Sequence, residues 1–140
     1  TRASGFGTVA LTEHMKQSNE QITLAVMIED MPALEQIEQI AQVDGIDIIA
    51  IGPSDLSRAV GVAGTSNHPK LIAAVDRVRA ALAKGKGARL ALPTNHSAFP
   101  RTAKQLLDLG CGYTNFAPSP EVRIMKSMRE QIDAARKEIG

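Results

Sequence analysis

Two carboxylates, Glu29 and Asp55, stand where divalent-cation chemistry could be done. Glu29 directly follows the apolar run Ile22-Thr23-Leu24-Ala25-Val26-Met27-Ile28, and Asp55 lies four residues past the end of a second run, Ile46-Asp47-Ile48-Ile49-Ala50-Ile51. If the two runs are neighbouring parallel strands, about 4.8 Å apart, both acids reach the same end of the sheet. Hard oxygen donors suit Mg²⁺ or Mn²⁺, and magnesium is commonly held by one or two carboxylates, with water and substrate oxygens completing its octahedron. The other reading is that each acid caps the helix or loop after its strand. Around Asp55, the segment Gly52-Pro53-Ser54-Asp55-Leu56-Ser57 is a Gly-Pro turn leading into a short helical turn. The successive N–H groups of Ser54, Asp55 and Leu56 form a nest for a small carboxylate, or the segment is an ordinary turn.

The remaining reactive side chains are less suggestive. His14 sits in a polar opening segment and His68 precedes Pro69 at a helix start, both read as surface or capping residues, whereas His96 follows the third strand and is the one histidine at the right end of the sheet for a substrate contact. The seven lysines fall in predicted helices or at their ends, away from the strand tips where a Schiff-base amine would be expected, so carbonyl chemistry here needs a metal. No His/Cys cluster has zinc spacing, and Gly5-Phe6-Gly7 and Gly85-Lys86-Gly87 lack the further residues of a phosphate loop. Cys111, the single cysteine, lies between Gly110 and Gly112 at a predicted helix-to-strand turn and reads as an inert thiol.

The elements that position these residues follow from periodicity. Strands are predicted near 22–28, 46–51, 88–92 and 113–116, the first read as covered on both faces because it is nearly continuous in apolar residues. Helices are predicted after each strand. The first starts at an Asp30 cap with Leu34, Ile37, Ile40 and Ala41 inward and stops at Gly45, the second covers about 69–84, the third 97–109 and the last 121–139. Four consecutive strand-helix units signify a parallel α/β sheet. The middle strand spacing is longer than the others because of the loop Gly52–Asn67, and the loops after strand C-termini are where α/β folds place their chemistry. The last helix carries Met125, Met128, Ile132, Ala135 and Ile139 on one stripe, which packs on its own sheet or docks on another subunit.

Composition bounds the function. The chain has 140 residues, 44% hydrophobic and 22% charged, with a formal charge of +1, three Phe, one Tyr and no Trp, enough for one buried core. Without a basic excess or aromatic platforms, nucleic acid and anionic membrane are excluded as partners, and without a targeting or membrane-spanning segment a cytoplasmic protein is expected. The opening Thr1-Arg2-Ala3-Ser4 has no Met and reads as cut from something longer, and residues 1–140 read as part of one domain. Four parallel units alone leave open edges that a (β/α)8 barrel closes. The alternative is a free-standing open sheet.

The stretch from Met27-Ile28-Glu29 through Ile51-Gly52-Pro53-Ser54-Asp55-Leu56-Ser57, with Gly61, Gly64 and Asn67-His68-Pro69, resembles the HpcH/HpaI aldolase family of metal-dependent pyruvate aldolases. The opening Arg2-Ala3-Ser4-Gly5-Phe6-Gly7 is similar to the stretch before that family's fifth strand. The resemblance covers nearly the whole chain and is nearest to the 2-dehydro-3-deoxyglucarate branch, although Met27 stands where that branch has a substrate-contacting Gln. It implies the C-terminal half of a (β/α)8 TIM barrel, a Mg²⁺, Mn²⁺ or Co²⁺ ion on Glu29 and Asp55, and a pyruvate carboxylate received at Gly52, Ser54 and Asp55. It further implies a lyase that reversibly cleaves a 4-hydroxy-2-oxo acid of the 2-keto-3-deoxy sugar acid type to pyruvate and an aldehyde, the metal stabilising the enolate. The family's catalytic His and Arg belong to the other half of the barrel, so no catalytic residue is expected in this chain, which alone would be inactive. The last helix is expected to be exchanged between subunits of a homo-oligomer, a hexamer in the family. Two alternatives stand beside this reading: a non-catalytic half-barrel binding a metal or 2-oxo acid, and a different enolate-forming lyase on the same fold.

Overall fold

The computed structural model describes residues 2–139. Thr1, which opens the stretch read as a cut end, and Gly140 lie outside the described residues. Four short strands, β1 (Ala25–Ile28), β2 (Ile48–Ile51), β3 (Arg89–Ala91) and β4 (Cys111–Tyr113), pair in parallel in the order of the sequence. Parallel crossovers are right-handed, so an order that never reverses lays the connecting helices on one face of the sheet.

The helices are α1 (Leu11–Gln21), ahead of the first strand, then the connecting α2 (Met31–Glu35), α3 (Ile37–Ile40), α4 (Pro53–Ala59), α5 (Pro69–Leu82) and α6 (Ala103–Asp108), and α7 (Pro120–Ile139) after the last strand, with a 3₁₀ turn at Arg2–Gly7. The core lies between the sheet and α2, α3, α5 and α6. Ile28, Ile49, Ile51 and Leu90 meet Leu34, Ile37, Leu71, Val75, Val78 and Leu106 there, all buried. Leu71, Val75 and Val78 form the buried stripe of α5, and its start is capped by His68, whose Nδ1 accepts from the Lys70 N–H at 3.1 Å.

The structure departs from the sequence reading in four places. The helix after β1 is two pieces joined at Gln36, and with that break Leu34, Ile37 and Ala41 are all buried. Asp30 caps it as expected, accepting from the Ala33 N–H at 2.8 Å, and Gly45 leaves it with φ +83°. The third helix begins at Ala103 rather than near Ser97, because Pro100 favours an extended Phe99 and Thr102 and Gln105 close a reciprocal capping box. The fourth strand is Cys111–Tyr113 rather than 113–116. Gly110 and Gly112 hide it in the sequence, yet Cys111 pairs with Leu90 and is buried, while residues further on add a single bridge, Thr94 to Phe116.

The fourth departure concerns β1, which is covered on one face only. Ala25 and Met27 are exposed, because they point to the concave side of the sheet, where no helix packs among the described residues. That side is a groove of about 740 Å³. Helix α7 likewise buries none of its side chains, and Met125, Met128 and Ile132 stand in the open, so of the two fates read for its stripe it does not pack on its own sheet. No described helix is long and apolar enough to cross a membrane.

Candidate functional site

The site forms at the C-terminal ends of β1 and β2. The Gly52 N–H donates to the Ile28 carbonyl at 3.2 Å, which continues the β1–β2 pairing one step beyond the strands and brings Gly52 beside Glu29. A β-carbon on Gly52 would lie 3.1 Å from Glu29 Oε2, 3.2 Å from Glu29 Cβ and 3.2 Å from Met27 Sδ. The Glu29 side chain therefore rests against this glycine, and the Met27 thioether shares the space. Gly52 and Met27 both line the concave groove.

Gly52 is also the residue before α4, with Pro53 at its first position, the placement in which proline loses nothing. Ser54 and Asp55 follow in the first turn. The nest read for Ser54, Asp55 and Leu56 is smaller than expected, because the Leu56 N–H donates to the Gly52 carbonyl at 2.9 Å. The N–H groups of Ser54 and Asp55 remain at the head of the helix, where no preceding turn supplies an acceptor. The Asp55 carboxylate pairs with Arg58 one turn on, both side chains being largely exposed. Glu29 and Asp55 thus lie at one end of the sheet with different neighbours, and no group of three or more His, Cys, Asp or Glu side chains gathers among the described residues.

Ser54 and His96 meet, a contact the sequence reading did not contain. Ser54 Oγ lies 3.0 Å from His96 Nε2, across 42 residues of chain. The Ala98 N–H donates to His96 Nδ1 at 3.2 Å. A ring nitrogen that accepts carries no hydrogen, so this bond assigns the neutral tautomer with its proton on Nε2. Burial lowers the His96 pKa from its usual value, which favours that neutral form. The signal available in the sequence was His96's place after the third strand, but nothing in the spacing named Ser54 as its partner. Arg58 beside Asp55 was also missed, although an Arg three residues after an Asp on a helix is a legible pairing.

The donor set fits a hard divalent cation. Glu29, just past β1, and Asp55, in the first turn of α4, carry oxygen donors of the kind such a cation takes, Gly52 makes room for the Glu29 side chain, and the Ser54 and Asp55 N–H groups stand at the head of α4. None of the seven lysines lies at a strand end beside Glu29: Lys86 pairs with Asp44, Lys84 follows the end of α5, and Lys16, Lys70, Lys104, Lys126 and Lys137 lie on helices.

Residues 5–117 match the family model described as HpcH/HpaI aldolase/citrate lyase. The chain is 35% identical over 133 residues to a hydroxypyruvate/pyruvate aldolase of Pseudomonas aeruginosa, covering 92% of the chain and 46% of that protein. It is 39% identical over 98 residues to a 5-keto-4-deoxy-D-glucarate aldolase of Enterobacter sp. (strain 638), covering 69% of the chain and 38% of that protein. A crystal structure of an HpcH/HpaI aldolase/citrate lyase family protein from Burkholderia cenocepacia J2315 superposes with a TM-score of 0.76 at 25% identity, over 97% of this chain and 50% of that one. The chain spans about half the length of the curated relatives it matches or less. With the motif at Glu29 and Gly52–Ser57 inside the matched region and the same fold around it, the chain belongs to the HpcH/HpaI aldolase/citrate lyase family.

Proposed function

We propose that this chain supplies the metal- and carboxylate-binding part of a pyruvate aldolase, a lyase that reversibly cleaves a 4-hydroxy-2-oxo acid to pyruvate and an aldehyde. The observation that carries the reading is Glu29 packed against Gly52 at the end of β1, with the first turn of α4 beginning at the same glycine. Glu29 and Asp55 are the residues that would hold Mg²⁺, Mn²⁺ or Co²⁺. Such a cation, when bound, offers Lewis-acid stabilisation to the negative charge that develops on a 2-oxo acid as its carbon-carbon bond breaks. The Ser54 and Asp55 N–H groups receive the carboxylate, and Gly52 makes room for the Glu29 side chain beside them. Met27 presents an apolar contact from the neighbouring strand to the part of the substrate that leaves as the aldehyde.

The rest of the machinery lies outside these residues. A four-strand order that never reverses, a concave face with no helix on it and a length about half that of the relatives all support four units of a (β/α)8 barrel, whose other half would cover the groove and bring the family's His and Arg. We assign α7 to packing on another subunit of a homo-oligomer, which accounts for its exposed apolar stripe.

The test is Mn²⁺ binding with and without oxalate, a mimic of the pyruvate enolate. Oxalate-enhanced binding that disappears in Glu29→Gln and in Asp55→Asn is expected. Unchanged Mn²⁺ affinity in Glu29→Gln would sink the assignment.

A further inference from the structure

We propose that His96 is a positioning residue, its Nε2–H holding the Ser54 oxygen so that the hydroxyl's own hydrogen donates to the carboxylate of a bound 2-oxo acid. The inference rests on the reading of the site given above and assigns a role to a side chain outside the motif. A serine hydroxyl has one hydrogen and two lone pairs. His96 Nε2, 3.0 Å away, occupies a lone pair as donor, because Nδ1 already accepts from the Ala98 N–H. The hydroxyl hydrogen is therefore left for another acceptor, and among the described residues Ser54 Oγ has none.

Both partners are held firmly enough for this to matter. The main chain of Ser54 is tied down at its carbonyl, which accepts from Ser57 Oγ at 2.7 Å. His96 sits at the head of a tight turn in which the Phe99 N–H donates to the His96 carbonyl at 3.0 Å, and Asn95, just before it, takes the left-handed φ of +51°. The turn is pinned from outside as well. The Asn95 N–H donates to the Arg101 carbonyl, the Asn67 N–H donates to the Ala98 carbonyl, and Phe99 is buried. A donor carried on a bracket of this kind costs little reorganisation when a ligand arrives. His96 lines the groove together with Gly52 and Pro53, while Ser54 lines a smaller cavity of about 130 Å³ with Ser97 and Ala98, so the Ser54–His96 contact stands between the two spaces. Because the ring is neutral, it orients the hydroxyl without setting a second positive charge beside the cation site.

The experiment is a double-mutant cycle read by oxalate affinity on the Mn²⁺-loaded protein, with Mn²⁺ affinity alone and circular dichroism as controls. Losing a hydrogen bond to a charged ligand in Ser54→Ala is expected to weaken oxalate about tenfold, and His96→Ala about fivefold. The double variant is expected to be no weaker than Ser54→Ala, and Mn²⁺ affinity alone to be unchanged by His96→Ala. His96→Gln, whose amide N–H reaches the place of Nε2, recovers most of the loss, whereas His96→Asn does not. A long-range ¹H–¹⁵N spectrum of the metal-free protein should show the Nε2–H tautomer. An intact oxalate effect that His96→Ala leaves unchanged, an equal His96→Ala loss in the Ser54→Ala background, or the opposite tautomer overturns the positioning role alone. Absence of any oxalate effect in the unsubstituted protein overturns the site reading and this role together.

Discussion

Glu29 Oε2 lies 3.1 Å from the point where a β-carbon on Gly52 would sit, and Met27 Sδ lies 3.2 Å from the same point. The glycine is needed for the space over it, since its backbone is ordinary extended chain with φ −90°. Gly52→Ala is therefore expected to displace the Glu29 carboxylate by a few tenths of an ångström while the exposed ends of Glu29 and Met27 give way. The stability cost should be about 1 kcal/mol, the low end for overpacking, whereas Mn²⁺ affinity should fall clearly. Urea unfolding and a Mn²⁺ titration on the same variant separate the two effects.

Arg58 pairs with Asp55 across one helical turn, so under the proposed cation site the guanidinium competes with the metal for that carboxylate. Removing the guanidinium in Arg58→Ala is expected to tighten Mn²⁺ binding by up to about fivefold, the range of an exposed ion pair. The direction is opposite to that of Asp55→Asn, and equal weakening by both variants would show that Arg58 supports the site.

His96 predicts a pH slope. Burial lowers its pKa in the folded protein, so below the unfolded value of about 6.5 the unfolded chain binds more protons than the folded one. The His96 contribution to stability is thus complete above about pH 6.5 and is lost as pH falls from there through the lowered folded pKa. Urea midpoints measured from pH 7.5 to 5 should fall less steeply in His96→Gln than in the unsubstituted protein.

Cys111 should behave as an inert thiol. It is buried in β4, and burial raises its pKa, with nearby Arg79 opposing only in part. Less thiolate and less access both slow alkylation, so iodoacetamide at pH 8 is expected to react about tenfold more slowly, or slower still, than in denaturant. Equal rates would show that β4 opens readily.

The apolar stripe of α7 should matter for assembly and little for the fold of the chain itself. Because Met128 and Ile132 are exposed, replacing both by Lys is expected to leave the unfolding midpoint within about 0.5 kcal/mol of stability, as for surface changes. Sedimentation should shift to a smaller species. An unchanged mass in that variant would place the subunit contacts elsewhere.

The local grammar of the chain was legible in its sequence. Asp30, His68 and Gly45 announce helix ends through their own hydrogen bonds and φ preferences, and the stripe Leu71, Val75, Val78 is buried because helical spacing puts those residues on one face. The Glu29 and Gly52–Ser57 motif was readable because strand ends place neighbouring residues together once the sheet is parallel. Tertiary structure decided what no local signal encodes. It opened one face of β1, because whether Met27 is covered depends on what packs over the concave side of the sheet. It drew Cys111 into the sheet, since the pairing with Leu90 outweighs the flanking glycines. It also joined Ser54 to His96 and rested Glu29 against Gly52. Contacts of that kind depend on side-chain reach between separate loops, and sequence separation carries no information about it.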